Sequence, residues 1–338
     1  VALWLGVVAG ALAQGGCCGG EQRCTAVAGM LGPVVPQRTQ VVPESPARPW
    51  AFPKWLVDPL GRRQPLARPP RRIVSTILLA DEILYDLVPP QRLAGVSNLV
   101  DEPTETVLAG RVPRSIQRVT GELEPVLALA PDLVIVASYT PAELVLPLAA
   151  AGIPVLRFDH FHSLADVEAA VTATGAAVGS EAIAATLVND LRTRMAAVER
   201  RARGHRAVRT LLWQVGGYTY GDGTLADELL LRAGGHNVAR DLGLKGNVPV
   251  GVEQVLATQP ELVVLSVGEQ RVALDATGFL PKTAAWRGVA AVRHRRVVGL
   301  PSAWLGSVSP VSVRAAEALA DVVARLAAET APPPHGDH

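Results

Sequence analysis

The chain has 338 residues, more than one ordinary core holds and enough for about two domains. Apolar residues make up 49% and charged residues 19%, with a mean hydropathy of +0.25, which excludes a disordered polymer of low hydrophobicity and high charge. Thirty-two Lys and Arg against 31 Asp and Glu leave a net charge of +1, which argues against nucleic acid as a partner.

Val1 to Ala13 carries no charge and closes on Ala11-Leu12-Ala13. That is the apolar run and A-x-A ending of a secretory signal, too short to span a bilayer. Residues 1–16 are therefore read as a signal-like segment of an exported protein. All three cysteines, Cys17, Cys18 and Cys24, follow directly. Their C-C-x5-C spacing lacks the paired C-x2-C of a zinc site, so no metal site is expected. Cys17 could carry a lipid anchor, but Gln14 stands where a lipoprotein signal wants an apolar residue. Residues 17–49, rich in Pro, Gln and Arg without periodicity, read as a flexible linker.

From residue 50 onward, short β-branched runs alternate with longer helical ones, the signature of α/β layers built on parallel sheets. Strands are expected at 72–77, 92–96, 133–137, 154–158, 208–213, 262–266 and 296–300. Residues 50–162 form an N-terminal α/β lobe in this reading and 205–328 a C-terminal one. The segment 329–338, with three consecutive prolines, reads as a disordered tail. Between the lobes, 163–204 is Ala-rich and helical in propensity, with Gly179-Ser180 as its break. Beyond the break, Ile183, Leu187, Leu191, Met195 and Val198 recur at helical spacing. Some 20 residues of helix reach about 30 Å, enough for a rod that holds two lobes apart and limits their swing.

The chain also echoes itself. Leu123-Glu124-Pro125-Val126-Leu127-Ala128-Leu129-Ala130-Pro131-Asp132-Leu133-Val134 matches Val252-Glu253-Gln254-Val255-Leu256-Ala257-Thr258-Gln259-Pro260-Glu261-Leu262-Val263. Each reads as a short helix opened by Glu, ended by Pro, and followed by an acidic residue and a buried strand. A repeat of this length favours two related lobes, and the Glu suits the start of a helix dipole.

In order along the chain stand Phe52-Pro53, Asp58, Gly61-Arg62, Pro69-Pro70-Arg71-Arg72-Ile73-Val74-Ser75, Ala80-Asp81-Glu82-Ile83-Leu84, Arg92-Leu93-Ala94-Gly95-Val96-Ser97 and the Glu124 segment. Then come Gly216-Gly217-Tyr218-Thr219-Tyr220-Gly221, Ala226-Asp227-Glu228-Leu229-Leu230, Ala233-Gly234-Gly235-His236-Asn237-Val238 and the Glu253 segment. This succession, from about Trp50 to Leu326, resembles the helical-backbone periplasmic solute-binding proteins of ABC importers, the family serving ferric siderophores, haem and cobalamin. The resemblance implies two Rossmann-like α/β lobes with central parallel sheets, joined by a single long interlobe helix, and a ligand held in the cleft between them. It implies that Glu124 and Glu253 dock on arginines of an inner-membrane permease dimer driven by its ATPase. It also implies a monomer with no resident cofactor, since the chelate is cargo.

In that fold, loops at strand ends line the cleft, and here those loops contain Arg118, Tyr139, His160, His162, Tyr218, Tyr220 and Trp304. Tyr and His are ordinary partners of ferric iron in haem, aromatic faces pack on flat rings, and Arg118 could neutralise an anionic chelate. Trp213 reads as core, Trp286 as part of a surface helix. Cobalamin binders of the family place a Trp before each docking helix. This chain has Arg118-Val119-Thr120 and Gly246-Asn247-Val248 there instead, so an iron chelate, siderophore or haem, is the first expectation and cobalamin the alternative. A zinc or manganese site is disfavoured because the N-terminal lobe has no His before His160. An enzyme is disfavoured too. Gly216-Gly217-x-x-x-Gly221-x-Gly223 fails the spacing of a phosphate loop, and no G-x-S-x-G or H-E-x-x-H is present. A ligand-sensing partner of a receptor is the remaining rival, and it would not need two docking glutamates.

Overall fold

The computed structural model describes residues 38–268 and 271–329. The signal-like segment, the three cysteines and residues 330–338 lie outside the described residues. Strand β1 (Gln40–Pro43), β2 (Lys54–Val57) and β3 (Arg63–Leu66) form a three-stranded antiparallel sheet, so residues 40–43 of the segment read as a linker are strand. Sequence periodicity missed β1 because four residues, one of them Pro, are too short to show alternation. The inner side of this sheet inserts Leu56 and Leu66 into the core of the first lobe.

The N-terminal lobe follows with β4 (Ile73–Ser75), α1 (Leu78–Leu87), β5 (Leu93–Ser97), β6 (Gln117–Val119), α2 (Leu123–Ala128), β7 (Leu133–Ala137), α3 (Ala142–Ala150) and β8 (Val155–Phe158). The five strands are all parallel, in the order β6-β5-β4-β7-β8. Every residue of β7 is buried, as a strand covered by helices on both faces must be. Ile73, Leu133 and Ile135 face α1 and the connector, whereas Val74, Val134 and Val136 face α2 and α3.

The connector is α4 (Leu164–Val178) and α5 (Glu181–Ala202). Gly179 ends α4 at φ 74°, the left-handed position that favours glycine. The 22 residues of α5 span about 33 Å. Its first half places Ala184 and Val188 in the core of the N-terminal lobe, and its second half places Leu191, Met195 and Val198 in that of the other. The stripe starts one residue later than expected: Ile183 is exposed, because Ala184 packs directly on Gly175 where the two helices turn. The bridge is double, since α4 also sends Leu164 and Val167 to one core and Ala170 and Val171 to the other. Buried Lys54 of β2 pins the turn between the helices, donating to Ala176 O at 2.7 Å and pairing with Glu181.

The C-terminal lobe contains β9 (Val208–Gln214), β10 (Tyr218–Tyr220), α6 (Leu225–Arg232), β11 (Gly235–Asn237), α7 (Val238–Asp241), β12 (Asn247–Pro249), α8 (Val252–Thr258), β13 (Leu262–Val267), α9 (Ala284–Gly288), α10 (Ala290–Arg293), β14 (Val297–Pro301), α11 (Ser302–Leu305) and α12 (Val313–Glu329). Its sheet runs β12-β10-β9-β13-β14, with β11 also paired to β9. Strands β11, β9, β13 and β14 are parallel, and β10 and β12 are antiparallel additions. Trp213 is core, as expected. Trp286 is buried against it, ring centroids 5.3 Å apart in an edge-on arrangement, and is not the surface residue its helix suggested.

The internal echo survives in three dimensions. Glu124 and Glu253 are each the second residue of their helix, α2 and α8, and both are exposed. Val126 and Val255 are fully buried beneath them. Ala130 and Gln259 end the helices at φ 44° and 42°. Asp132 then accepts from the backbone N–H groups of Arg71 and Arg72, and Glu261 from that of Arg209. The Arg72 and Arg209 side chains close the loop by donating to Leu129 O and Thr258 O, matching carbonyls at the ends of the two helices. The two arginines belong to the repeat although sequence comparison did not extend to them.

Candidate functional site

In a doubly wound sheet, ligands bind outside the carboxyl ends of the strands, where strand order reverses. Here those points are β4, flanked by β5 and β7, and β9, flanked by β13 and by β10 with β11. The two carboxyl edges face one another. The Ser302 hydroxyl, just past β14, donates to Thr104 O in the loop after β5, and Gly268, just past β13, lies against the Thr104 side chain.

Tyr139 stands two residues beyond β7, at the switch point of the N-terminal lobe. It is 58% exposed, and its ring lies 6.0 Å from that of Phe161 at 51°. Tyr218 opens β10 at the switch point of the other lobe and is also exposed, beside exposed Val215. These aromatic side chains are brought to the facing edges, one from each lobe. Tyr220 shares Tyr218's face of the ribbon but packs against the lobe core. Burial pushes its phenol up to about 12, against a hydrogen bond from Ser266, so it remains protonated at neutral pH. Trp304, on α11, packs on the same core with the Arg314 guanidinium 5.9 Å above its ring.

The structure commits other nominated residues elsewhere. Arg118 donates from Nε and Nη2 to the Asp101 carboxylate at 2.9 and 2.8 Å, and from Nη1 and Nη2 to Pro113 O, Ile116 O and Val112 O. It braces its own lobe, and the contact holds Asp101 below the usual carboxylate range. His160 lines a cavity of about 20 Å³ together with Thr39 and Asp159. Its Nε2 is buried and has no hydrogen-bond partner among the described residues. His162 is exposed, and its backbone N–H donates to Asp166 Oδ2 at the start of α4. Among the described residues no three His, Cys, Asp or Glu side chains gather as a metal site.

Sequence reasoning passed over Phe161, Leu99 and Val215. Leu99 and Val215 are exposed at strand ends, where an apolar residue reads as a continuation of the strand. Phe161 could have been found, because it sits between the two nominated histidines. The glycine cluster is a turn and a crossing. Gly216 and Gly217 join β9 to β10 at positive φ, and a Cβ on Gly221 would lie 2.4 Å from Leu244 O.

Two doubly wound lobes, bridged by paired helices and carrying aromatic side chains on opposed strand ends, define the class of two-lobed ligand-binding proteins. The chain belongs to the periplasmic binding protein family, whose model matches residues 73–303. It is similar to the cobalamin-binding protein of Halobacterium salinarum, 27% identical over 293 residues, 85% of this chain and 77% of that one. It is also similar to YvrC of Bacillus subtilis, an uncharacterised ABC transporter substrate-binding lipoprotein, 24% identical over 80% of this chain and 86% of that one. Among solved structures, the periplasmic heme-binding protein RhuT from Roseiflexus sp. RS-1 superposes with a TM-score of 0.65 at 23% identity, covering 76% of this chain and 99% of that one. The vitamin B12 binding protein BtuF of Vibrio cholerae gives 0.62 at 22%, covering 78% and 99%. At that identity the two structures speak for the fold, and the expected two-lobed α/β class is borne out. No helix among the described residues is long and apolar enough to cross a membrane.

Proposed function

We propose that this chain is the exported substrate-binding component of an ABC importer. It captures a metal tetrapyrrole, haem or a corrinoid, between Tyr139 with Phe161 on one lobe and Tyr218 on the other. The carrying observation is that exposed aromatic side chains occupy both switch points, one per lobe, on edges that face each other. Flat rings offer a large apolar face, and aromatic side chains bury it at little conformational cost. A ferric siderophore fits less well. Arg118, the cation nominated to meet an anionic chelate, is spent on Asp101. The cobalamin-binding relative, matched over most of both chains, favours the corrinoid arm.

Delivery rests on Glu124 and Glu253, exposed at the starts of twin helices. Two carboxylates on a braced body set orientation and encounter rate at a cationic permease surface. The test is titration of the purified protein with haemin, cyanocobalamin and a ferric siderophore separately, read by visible absorption. One tetrapyrrole should bind, and Tyr139→Ala or Tyr218→Ala should weaken it by roughly tenfold each. Binding of the siderophore alone, or unchanged affinity in both variants, would overturn the reading.

A further inference from the structure

Two further contacts tie the lobes together, and a glutamate makes each: Glu228, partly exposed, and Glu82, buried. At the first, the Leu164 N–H, which opens α4, donates to Glu228 Oε2 of α6 at 2.9 Å, and Leu164 itself packs in the C-terminal core. At the second, Ser307 and Ser309, between α11 and α12, donate to Glu82 Oε2 of α1 at 3.1 and 2.5 Å. Val308 between them packs against both cores. The two glutamates hold the same place in matching segments, Ala80-Asp81-Glu82-Ile83-Leu84 and Ala226-Asp227-Glu228-Leu229-Leu230, so the grips are reciprocal.

They are not equal. Glu228 is paired with Arg232 at 2.7 Å. Glu82 is 5% exposed and has no ion-pair partner among the described residues. Its other oxygen accepts from Thr106 Oγ1 at 2.6 Å, so three hydroxyls serve one carboxylate, one from its own lobe and two from across the gap. A buried carboxylate without a cation is costly unless its hydrogen bonds are met. Only the separation seen here supplies all three. Parting the lobes removes two donors but admits water, which replaces them. The arrangement therefore opposes small displacements without welding the lobes together. The same turn backs the ligand site, since Gly306 lies close to Tyr220 Oη.

We infer that Glu82 is a positioning residue: with Ser307 and Ser309 it latches the second lobe to the first at one aperture, and so sets how fast ligand leaves the cleft. Only the ligand part of this inference rests on the proposed function. The full chain is compared with Ser307→Ala plus Ser309→Ala, and with Glu82→Gln and Glu82→Leu, after thermal melts show each variant folded. Amide hydrogen exchange is followed at Leu108, whose N–H donates to Thr106 Oγ1, and at Val311, whose N–H donates to Ser309 Oγ.

The latch predicts that the serine pair variant speeds exchange about tenfold at Leu108, on the opposite lobe, as well as at Val311. Glu82→Gln, which keeps an acceptor oxygen, should show a smaller rise than Glu82→Leu. Stopped-flow dissociation of cyanocobalamin or haemin should quicken roughly fivefold with the association rate unchanged. Faster exchange confined to residues 309–312, or a dissociation rate that stays at the wild-type value, would overturn the latch. Should neither tetrapyrrole bind the wild-type protein, the proposed function fails and the exchange at Leu108 alone decides for or against the latch.

Discussion

Asp81 and Asp227 show how one position acquires two chemistries. Both are almost fully buried on the first helix of a lobe. Asp227 accepts from Asn237 Nδ2 at 2.8 Å and from Arg240 Nε and Nη2. Asp81 accepts from the Ser97 N–H at 3.1 Å, and its Oδ1 has no hydrogen-bond partner among the described residues. Burial pushes the Asp81 carboxyl well above the usual carboxylate range, against the pull of the Ser75 hydroxyl and of that N–H. The folded state therefore holds a proton that the unfolded chain releases. Stability from this group is greatest below the ordinary carboxylate value and is lost as pH rises toward the elevated one. Asp81→Asn should gain on the wild type steadily as urea unfolding is repeated from acid to neutral pH. Asp227→Ala should instead lose about 2 kcal/mol at neutral pH, by stranding Asn237 and Arg240. Neither difference was legible in the sequence, where both acids stand in the same A-D-E motif. Arg118 misled for a related reason. Its partners, Asp101 and three carbonyls, converge through the fold, and spacing along the chain does not show them.

At the scale of elements the sequence was more informative. The seven expected strands correspond to β4, β5, β7, β8, β9, β13 and β14, because continuous apolar runs mark strands buried on both faces. The break at Gly179-Ser180 falls where α4 gives way to α5. Hidden from periodicity were β1, β2, β3, β6, β10, β11 and β12, of three or four residues each, which owe their strand character to neighbours. The crossing of β10's end over the chain at Leu244 shows this dependence. Gly221 N donates to Gly246 O, and Asp222 N to Leu244 O. Since a Cβ on Gly221 would strike backbone atoms of Leu244, Gly221→Ala should cost roughly 2–3 kcal/mol in chemical denaturation. Gly223→Ala is the control, for no atom lies within 4 Å of a Cβ there, though its positive φ adds a smaller strain.

For the whole molecule, paired helices shared by two cores make large hinge closure expensive. Ligand addition should change the radius of gyration, measured by solution scattering, by less than about 1 Å. The fluorescence of Trp304 should respond at the same time. A braced body also lets delivery be separated from capture. Glu124→Ala together with Glu253→Ala should leave ligand affinity within about twofold while abolishing transport by the reconstituted permease. The duplication that predicts this was visible from residue 123 to 134 and from 252 to 263, but its full extent was not. Arg72 and Arg209 lie far upstream of the helices they close, and only the fold brings them back. The buried Lys54 has a mechanical corollary. Tension applied at Gln40 would enter β1, pass across the ladder to β2, and reach the bend between α4 and α5 through Lys54. A pull on β1 should therefore strain the joint of the two bracing helices before it strains the cargo gap.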